Sequence, residues 1–114
     1  MKENDVLYLK HILEAIEKIT RLTESKQDSQ AFSSDEAVYN ASLYLLATIG
    51  EAVSSLSDDF KVEFSQIPWQ NIKDMRNILI HEYLNVSAAI IWKTIRERLP
   101  ELEATVKDAL RERE

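Results

Sequence analysis

The chain lacks cysteine entirely and contains one glycine and two prolines among its 114 residues. The absence of cysteine excludes disulfide bonds and thiolate metal sites, and it fits the reducing cytoplasm, where we expect this protein to act. A β-sheet domain of this size needs more turn residues, so the composition favours helices. No run of about 18 apolar residues occurs, and Met1–Asp5 is unlike a signal peptide, so we expect no membrane association.

Length and charge predict one domain over residues 1–114 and limit its partners. With 45% apolar residues, the chain has enough material for a single hydrophobic core. Residues 1–60 hold 5 basic and 11 acidic side chains, whereas residues 61–114 hold 9 of each. An extended basic face for duplex binding is therefore not predicted, and no DNA partner is expected. The stretch from Lys73 to Arg98 is locally basic, which leaves room for a small cationic cleft.

Apolar residues that recur every three or four positions predict an all-α, four- to five-helix up-down bundle. The first helix is predicted from Asn4 to Ser25, and the polar segment Ser25–Gln30 separates it from the second. Ser33 and Glu36 have the spacing of a capping box, so the second helix is predicted to start there.

Gly50 lies inside the second predicted helix, where glycine costs about 1 kcal/mol relative to alanine. Close approach of another helix, which a Cβ atom would block, is the expected reason for it. Ser57–Asp59 is predicted to end this helix. The connection that follows is expected to pack onto the core through its apolar residues Phe60, Phe64 and Ile67.

Two prolines mark the remaining helices. Pro68 fits the first turn of a third helix that runs to about Tyr83, because a proline there gives up no needed hydrogen bond. Asn85 or Ser87 is predicted to cap a fourth helix. Pro100 should break or bend the chain before a last helical segment, Glu101–Arg113.

The motif Arg-x4-His-x-Tyr, formed by Arg76, His81 and Tyr83, is the candidate catalytic site. Histidine titrates near neutral pH and can move a proton on and off a hydroxyl group. A guanidinium group can brace a phosphorane through two parallel hydrogen bonds. Together these groups suit metal-free cleavage of RNA by its own 2′-hydroxyl, with a 2′,3′-cyclic phosphate as the predicted product.

Helical geometry places Arg76 and His81 about 7.5 Å apart along the axis and about 140° apart around it. Asn77 lies one turn before His81 and is predicted to bond its imidazole or a substrate phosphate. Because Arg76 and His81 are this far apart on the helix, we expect a second copy of the site to complete the pocket. The two side chains are expected to flank an apolar ridge of Met75, Ile78 and Leu79.

A structural interpretation of the same residues is that the arginine and the histidine make ordinary surface ion pairs, with Asp74 and Glu82 as candidate partners, or cap a helix end. His11, the other histidine, is interpreted as a surface or core-edge residue. Two histidines without cysteine offer no zinc site, and no glycine-rich loop is present to bind a nucleotide. We therefore expect neither a metal nor a cofactor.

A series of short motifs extends along nearly the whole chain. The motifs are Asp5 before Leu9-x2-Ile12-Leu13-x2-Ile16, then Ile49-Gly50-Glu51-Ala52, Ile67-Pro68-Trp69, Met75-Arg76-Asn77, His81-x-Tyr83, Ile91-Trp92 and Leu99-Pro100-x-Leu102. With these motifs the sequence resembles the HepT-like proteins, a branch of the HEPN superfamily of small helical bundles.

This resemblance implies a ribonuclease toxin of a type VII-like HepT/MntA toxin–antitoxin pair. The implied partners are an RNA substrate, a second copy of the chain and an MntA-like nucleotidyltransferase antitoxin. In the implied homodimer, two motifs face a shared cleft. Arg76 would stabilise the scissile phosphate, His81 would transfer protons and Asn77 would be a supporting polar residue. Tyr83 matches the tyrosine that the antitoxin AMPylates to silence the toxin.

The alternative function is a non-catalytic helical module that docks a minimal nucleotidyltransferase. In that case the acidic first half and Trp69 or Trp92 would matter more than His81. The intact Arg-x4-His-x-Tyr motif favours the ribonuclease, because a docking module has no chemical need for those three side chains.

Overall fold

The computed structural model describes residues 2–82 and 85–113, and within them the only regular structure is helical. The predicted all-α bundle is confirmed. A π-helical segment joins the last two helices into one continuous stretch. The elements are α1 (Glu3–Thr23), α2 (Ser29–Ser34), α3 (Glu36–Ser55), α4 (Asp58–Glu63), α5 (Trp69–His81), α6 (Ala88–Lys93), the π segment (Thr94–Arg98) and α7 (Leu99–Arg113).

Helix α3 is the central element of the bundle. It packs against α1 along one side and against α5 along another, while α7 packs against α1. The apolar stripes that predicted these helices are the surfaces that meet, because their burial is the main free-energy gain of a bundle. No helix in the described part of the chain is long and apolar enough to cross a membrane. The fully buried apolar side chains include Leu9, Ile12, Ile16, Ile19, Leu43, Val53, Ile91 and Val106.

The segment after α1 contains a short helix that the sequence analysis did not predict. Asp28 caps α2 by accepting a hydrogen bond from the backbone N–H of Ala31 at 2.8 Å. This helix buries Phe32, whose ring centroid lies 5.3 Å from that of Tyr39 and 5.2 Å from that of Trp92. Aromatic packing of α2 onto the bundle stabilises a helix that is too short to be stable alone.

Both ends of α3 differ from the predicted ones, and the connection after it contains a short helix, α4, that was not predicted. Asp35, rather than Ser33, caps α3 by accepting from the N–H of Val38 at 3.2 Å. Ser57 does not end α3 but caps α4, whose first residues are Asp58 and Asp59. A serine or aspartate oxygen can satisfy the free N–H groups of the helix that follows it, which explains why these residues start helices. The predicted packing of the connection is confirmed by the burial of Phe60, Phe64 and Ile67.

The corner between α1 and α4 contains a buried carboxylate. Asp5 is 2% exposed. Its Oδ1 accepts from the N–H of Ser57 at 2.8 Å, and its Oδ2 accepts from the hydroxyl of Ser57 at 2.6 Å and from the N–H of Lys2 at 3.0 Å. Burial disfavours the ionised form, but the hydrogen bonds from Ser57 and Lys2 outweigh it and hold the pKa of Asp5 below its ordinary value of 3.8.

The prediction that Pro68 starts a helix is confirmed, and the predicted break at Pro100 is wrong. Pro68 directly precedes α5, and Ser87, not Asn85, caps α6 by accepting from the N–H of Ile90. Pro100 does not break the chain, because α7 begins one residue before it. Instead, the turn in front of it widens into the π segment, where the N–H of Leu99 bonds to the carbonyl of Thr94. This wider pattern accommodates a residue that has no N–H to donate.

Candidate functional site

The helices α3 and α5 meet at Gly50 and Arg76. A Cβ atom added to Gly50 would lie 2.3 Å from Cβ of Arg76 and 2.9 Å from its Cγ. The expectation that Gly50 permits close approach of another helix is therefore confirmed, and the approaching residue is the arginine of the motif. Local sequence makes α5 a helix, but the glycine on α3 determines how closely Arg76 can lie against it.

The guanidinium group of Arg76 has partners on both helices. Its Nε donates to Oε2 of Glu51 at 2.7 Å, and its Nη2 forms an ion pair with the same oxygen. Its Nη1 donates to Oδ1 of Asn77 at 2.7 Å. The side chain of Arg76 is 24% exposed and that of Glu51 is 58% exposed, so the pair lies at the surface. Because arginine has five N–H donors, this arrangement orients the group and leaves donors for a substrate oxyanion.

Glu51 was not among the predicted site residues. Asp74 and Glu82 were the candidate ion-pair partners of the arginine and the histidine, whereas the observed partner of Arg76 lies on α3. Asp74 instead accepts a hydrogen bond from Nε2 of Gln70 at 2.9 Å. One signal did point towards Glu51: it follows the only glycine of the chain, at the position where a second helix was expected to approach.

His81 is the last residue of α5, and it is exposed. Within residues 2–82 and 85–113 it makes no hydrogen bond or ion pair. Asn77, one turn earlier, bonds to Arg76 and not to the imidazole. The structure thus brings Arg76, Asn77 and Glu51 together, and among the described residues His81 is not bonded to any of them.

The apolar residues of the motif helix are divided between core and surface. Leu79 belongs to the core, which removes it from the predicted ridge between the two site residues. Ile78 and Ile80 are both exposed. Because they are two positions apart, these side chains lie about 160° apart around the helix, one on each side of His81. Each leaves apolar surface that another molecule can cover.

Tyr83, the predicted modification site, lies outside the described residues. For the residues that are described, no group of three or more His, Cys, Asp or Glu side chains is placed to hold a metal ion.

A groove of ≈ 460 Å³ lies between α1 and α3 and extends to Glu51. His11 lies in this groove and is exposed, in agreement with its interpretation as a surface residue. Lys18, also in the groove, forms an ion pair with Glu14 at 3.2 Å. The groove and the arginine site therefore share one residue, the carboxylate that orients Arg76.

The structure defines a small all-α bundle that carries an arginine and a histidine on α5, and comparison with known proteins identifies its family. The model of the family described as "Ribonuclease HepT-like" matches residues 12–109. The chain therefore belongs to the HepT-like ribonuclease family, and the resemblance inferred from its motifs is confirmed.

Three relatives illustrate this membership. The chain is 40% identical over 103 residues to "Putative RNase TTE0752" of Caldanaerobacter subterraneus subsp. tengcongensis, covering 90% of this chain and 91% of that protein. It is 37% identical over 103 residues to "Probable ribonuclease HepT" of Thermococcus cleftensis, covering 90% and 93%. It is 31% identical over 112 residues to "Gamma-glutamylcyclotransferase and putative RNase MJ0434" of Methanocaldococcus jannaschii, covering 98% of this chain but 50% of that protein. No solved structure matches the chain significantly.

Proposed function

We propose that this protein is an endoribonuclease that cleaves RNA at Arg76 and His81 without a metal ion. The observation that carries the proposal is the guanidinium group of Arg76, oriented by Glu51 and Asn77 at the surface of a chain that belongs to a ribonuclease family. The exposed imidazole of His81 on the same helix supplies the second group that the reaction needs.

In the proposed reaction, free N–H groups of Arg76 bind the non-bridging oxygens of the scissile phosphate. His81 takes the proton from the 2′-hydroxyl, and the 2′-oxygen then attacks phosphorus. The bond to the 5′-oxygen breaks, and that oxygen leaves with a proton from an imidazolium. The products are a 2′,3′-cyclic phosphate and a 5′-hydroxyl. Asn77 and Glu51 orient the guanidinium, which lowers the cost of stabilising charge in the transition state.

The working enzyme is proposed to be a homodimer with two motifs facing one cleft. Two observations support the homodimer. Within one chain His81 makes no direct bond to Arg76 or to its partner Glu51, and Ile78 and Ile80 on the same helix are exposed. A second copy would cover these apolar side chains and bring its own Arg76 and His81 near. The mass in solution should then be twice 13.2 kDa.

Regulation by a nucleotidyltransferase completes the proposal: the protein acts as the toxin of a HepT/MntA pair. An MntA-like antitoxin would transfer AMP from ATP to the phenol oxygen of Tyr83, releasing pyrophosphate. Tyr83 follows His81 by two residues, so the added phosphodiester would bring one negative charge close to the site. That charge would compete with RNA for Arg76. Steric cover of the cleft by a bound antitoxin is a second route to inhibition.

The test is cleavage of single-stranded RNA in EDTA by the wild type, Arg76→Ala and His81→Ala. Arg111→Ala is the matched control, because Arg111 is an exposed arginine on α7 that pairs with Asp108. We expect cyclic phosphate ends from the wild type and the control. Each site variant should be slower by about 10²–10⁴-fold, the usual contribution of proton transfer or of a held charge. Products with 3′-hydroxyl ends, or an absolute requirement for magnesium, would contradict the mechanism.

The exposed Ile78 and Ile80 also favour the alternative, a docking module for a nucleotidyltransferase. Two results together would favour docking: unmodified wild-type protein leaves RNA intact, and Arg76→Ala binds the antitoxin as tightly as the wild type does. The proposal of a docking module would then replace the proposal of a ribonuclease. Intact-mass measurement must accompany this test, since a protein that is heavier by AMP would be a silenced enzyme.

A further inference from the structure

The groove between α1 and α3 contains side chains that the proposed reaction does not use. Three planar rings line it, those of Tyr8 and His11 on α1 and of Tyr44 on α3. Its lining includes Glu51, the residue that orients Arg76. At ≈ 460 Å³ the groove lies within the range of about 300–1,000 Å³ that is typical of small-molecule sites.

Tyr44 is the most distinctive residue of the groove. Its side chain is 72% exposed, although a tyrosine ring usually gains free energy by burial. Proteins that bind single-stranded RNA present such rings as surfaces on which unpaired bases stack. An exposed ring in a groove that also contains the ion-pair partner of Arg76 is therefore suited to a nucleotide rather than to the protein core.

The charges of the groove favour a base over the phosphate backbone. Glu14 is paired with Lys18 at 3.2 Å, and Glu51 is paired with Arg76, so each carboxylate has a neighbouring cation. The groove consequently carries no surplus of positive charge to attract phosphates. Its rings, with polar side chains such as Thr48 between them, match the flat face and polar edge of an uncharged base.

We propose that this groove binds an unpaired base of the RNA substrate, stacked on Tyr44, while the scissile phosphate lies at Arg76. The inference rests on the proposed ribonuclease function and adds a base-binding subsite on α3 to it. Tyr44 and Glu51 are seven residues apart on α3, which corresponds to about 10.5 Å along the helix. The bound base would thus belong to a nucleotide that flanks the cleaved bond.

The kinetic test compares Tyr44→Ala and Tyr44→Phe on a single-stranded RNA substrate. Loss of the ring should lower kcat/KM by about tenfold or more, mainly through KM, because stacking stabilises bound RNA before and during the reaction. Tyr44→Phe keeps the ring and should recover most of the affinity. Val62→Ala is the control, because Val62 is an exposed apolar residue on α4, outside the groove.

A binding test separates this inference from the nuclease proposal. A short single-stranded RNA that carries 2-aminopurine is titrated into His81→Ala and into His81→Ala combined with Tyr44→Ala. Fluorescence quenching that depends on Tyr44 supports the subsite, whether or not the wild type cleaves RNA. If the wild type cleaves RNA and Tyr44→Ala matches it in KM, the subsite is wrong while the nuclease stands. Equal binding with and without the Tyr44 ring would also overturn it.

Discussion

Asp5 and Arg76 are two charged side chains with fixed partners that differ in their access to solvent. Asp5, at the corner of α1 and α4, is 2% exposed and receives three hydrogen bonds from Ser57 and Lys2. Arg76, where α3 meets α5, also has fixed partners but remains 24% exposed and next to solvent. A buried and fully bonded charge can only stabilise the fold, whereas an oriented and accessible charge can also bind a substrate. Accessibility, rather than the number of partners, distinguishes a structural charge from a functional one.

Among the changes that test this comparison, Gly50→Ala should have the largest effect. It would prevent the close approach of α5 to α3 at Arg76. The new Cβ would lie 2.3 Å from Cβ of Arg76, so α5 must move away from α3. We expect a loss of about 1–3 kcal/mol in unfolding free energy from overpacking. Displacement of the guanidinium should lower RNA cleavage by about 10²-fold. Chemical denaturation and single-turnover cleavage measure the two effects, and wild-type values for both would show that the contact is not rigid.

Asp5→Asn tests the structural side of the comparison. The amide cannot accept the hydrogen bonds of Ser57 and Lys2 as a carboxylate does, so we expect a loss of about 2 kcal/mol in unfolding free energy at neutral pH. Cleavage per folded molecule should stay at the wild-type value, because Asp5 lies outside the Arg76 region. A cleavage defect larger than the loss of folded protein would contradict the division between the two regions.

The pH dependence of stability gives a second measure of Asp5. Its pKa in the folded protein is below 3.8, so the folded state favours the ionised carboxylate more than the unfolded state does. The stabilisation is therefore present above pH 3.8 and declines as the pH falls through the lower, folded-state pKa. Denaturation curves between neutral pH and acid should show this decline in the wild type and a smaller one in Asp5→Asn.

Glu51→Ala sharpens the functional side. The ion pair with Arg76 is exposed, so its removal should change the unfolding free energy by less than about 1 kcal/mol. The guanidinium would lose its partner on α3, and we expect kcat to fall about tenfold, as for other groups that orient a catalytic side chain. Glu103→Ala, which removes an exposed pair with Lys107 at 3.9 Å, is the control. Equal kcat values for the two variants would show that Glu51 does not orient Arg76 for the reaction.

The smallest expected effect concerns Ser42, a buried polar side chain of α3. Its Oγ has no hydrogen-bond partner in the described part of the chain, whereas the buried hydroxyl of Thr23 donates to the carbonyl of Ile19 at 2.9 Å. Ser42→Ala should therefore raise the unfolding free energy by up to about 1 kcal/mol, while Thr23→Val should lower it by a similar amount. Thermal denaturation of both variants checks the opposite signs, and destabilisation by Ser42→Ala would mean that its hydroxyl is satisfied.

Short-range patterns in the sequence determined much of this protein. Apolar periodicity predicted the long helices, the proline rules placed the start of α5, and the single glycine predicted the contact with another helix. The motif residues Arg76, His81 and Tyr83 were also visible, because they lie within eight positions of one another. These features depend on residues that are close together along one helix. Helical geometry there converts the separation in sequence directly into a position in three dimensions.

Only the tertiary structure decided which residues meet across helices. Glu51 lies 25 positions before Arg76, and Asp5 lies 52 positions before Ser57, so neither pair can be read from local spacing. Phe32 was predicted in no core stripe and became buried through its contact with Trp92 on α6. Such contacts depend on the rotation and separation of packed helices. The rotation and separation of the helices are set by the burial of all apolar faces at once, so they cannot be read from the sequence of a single helix.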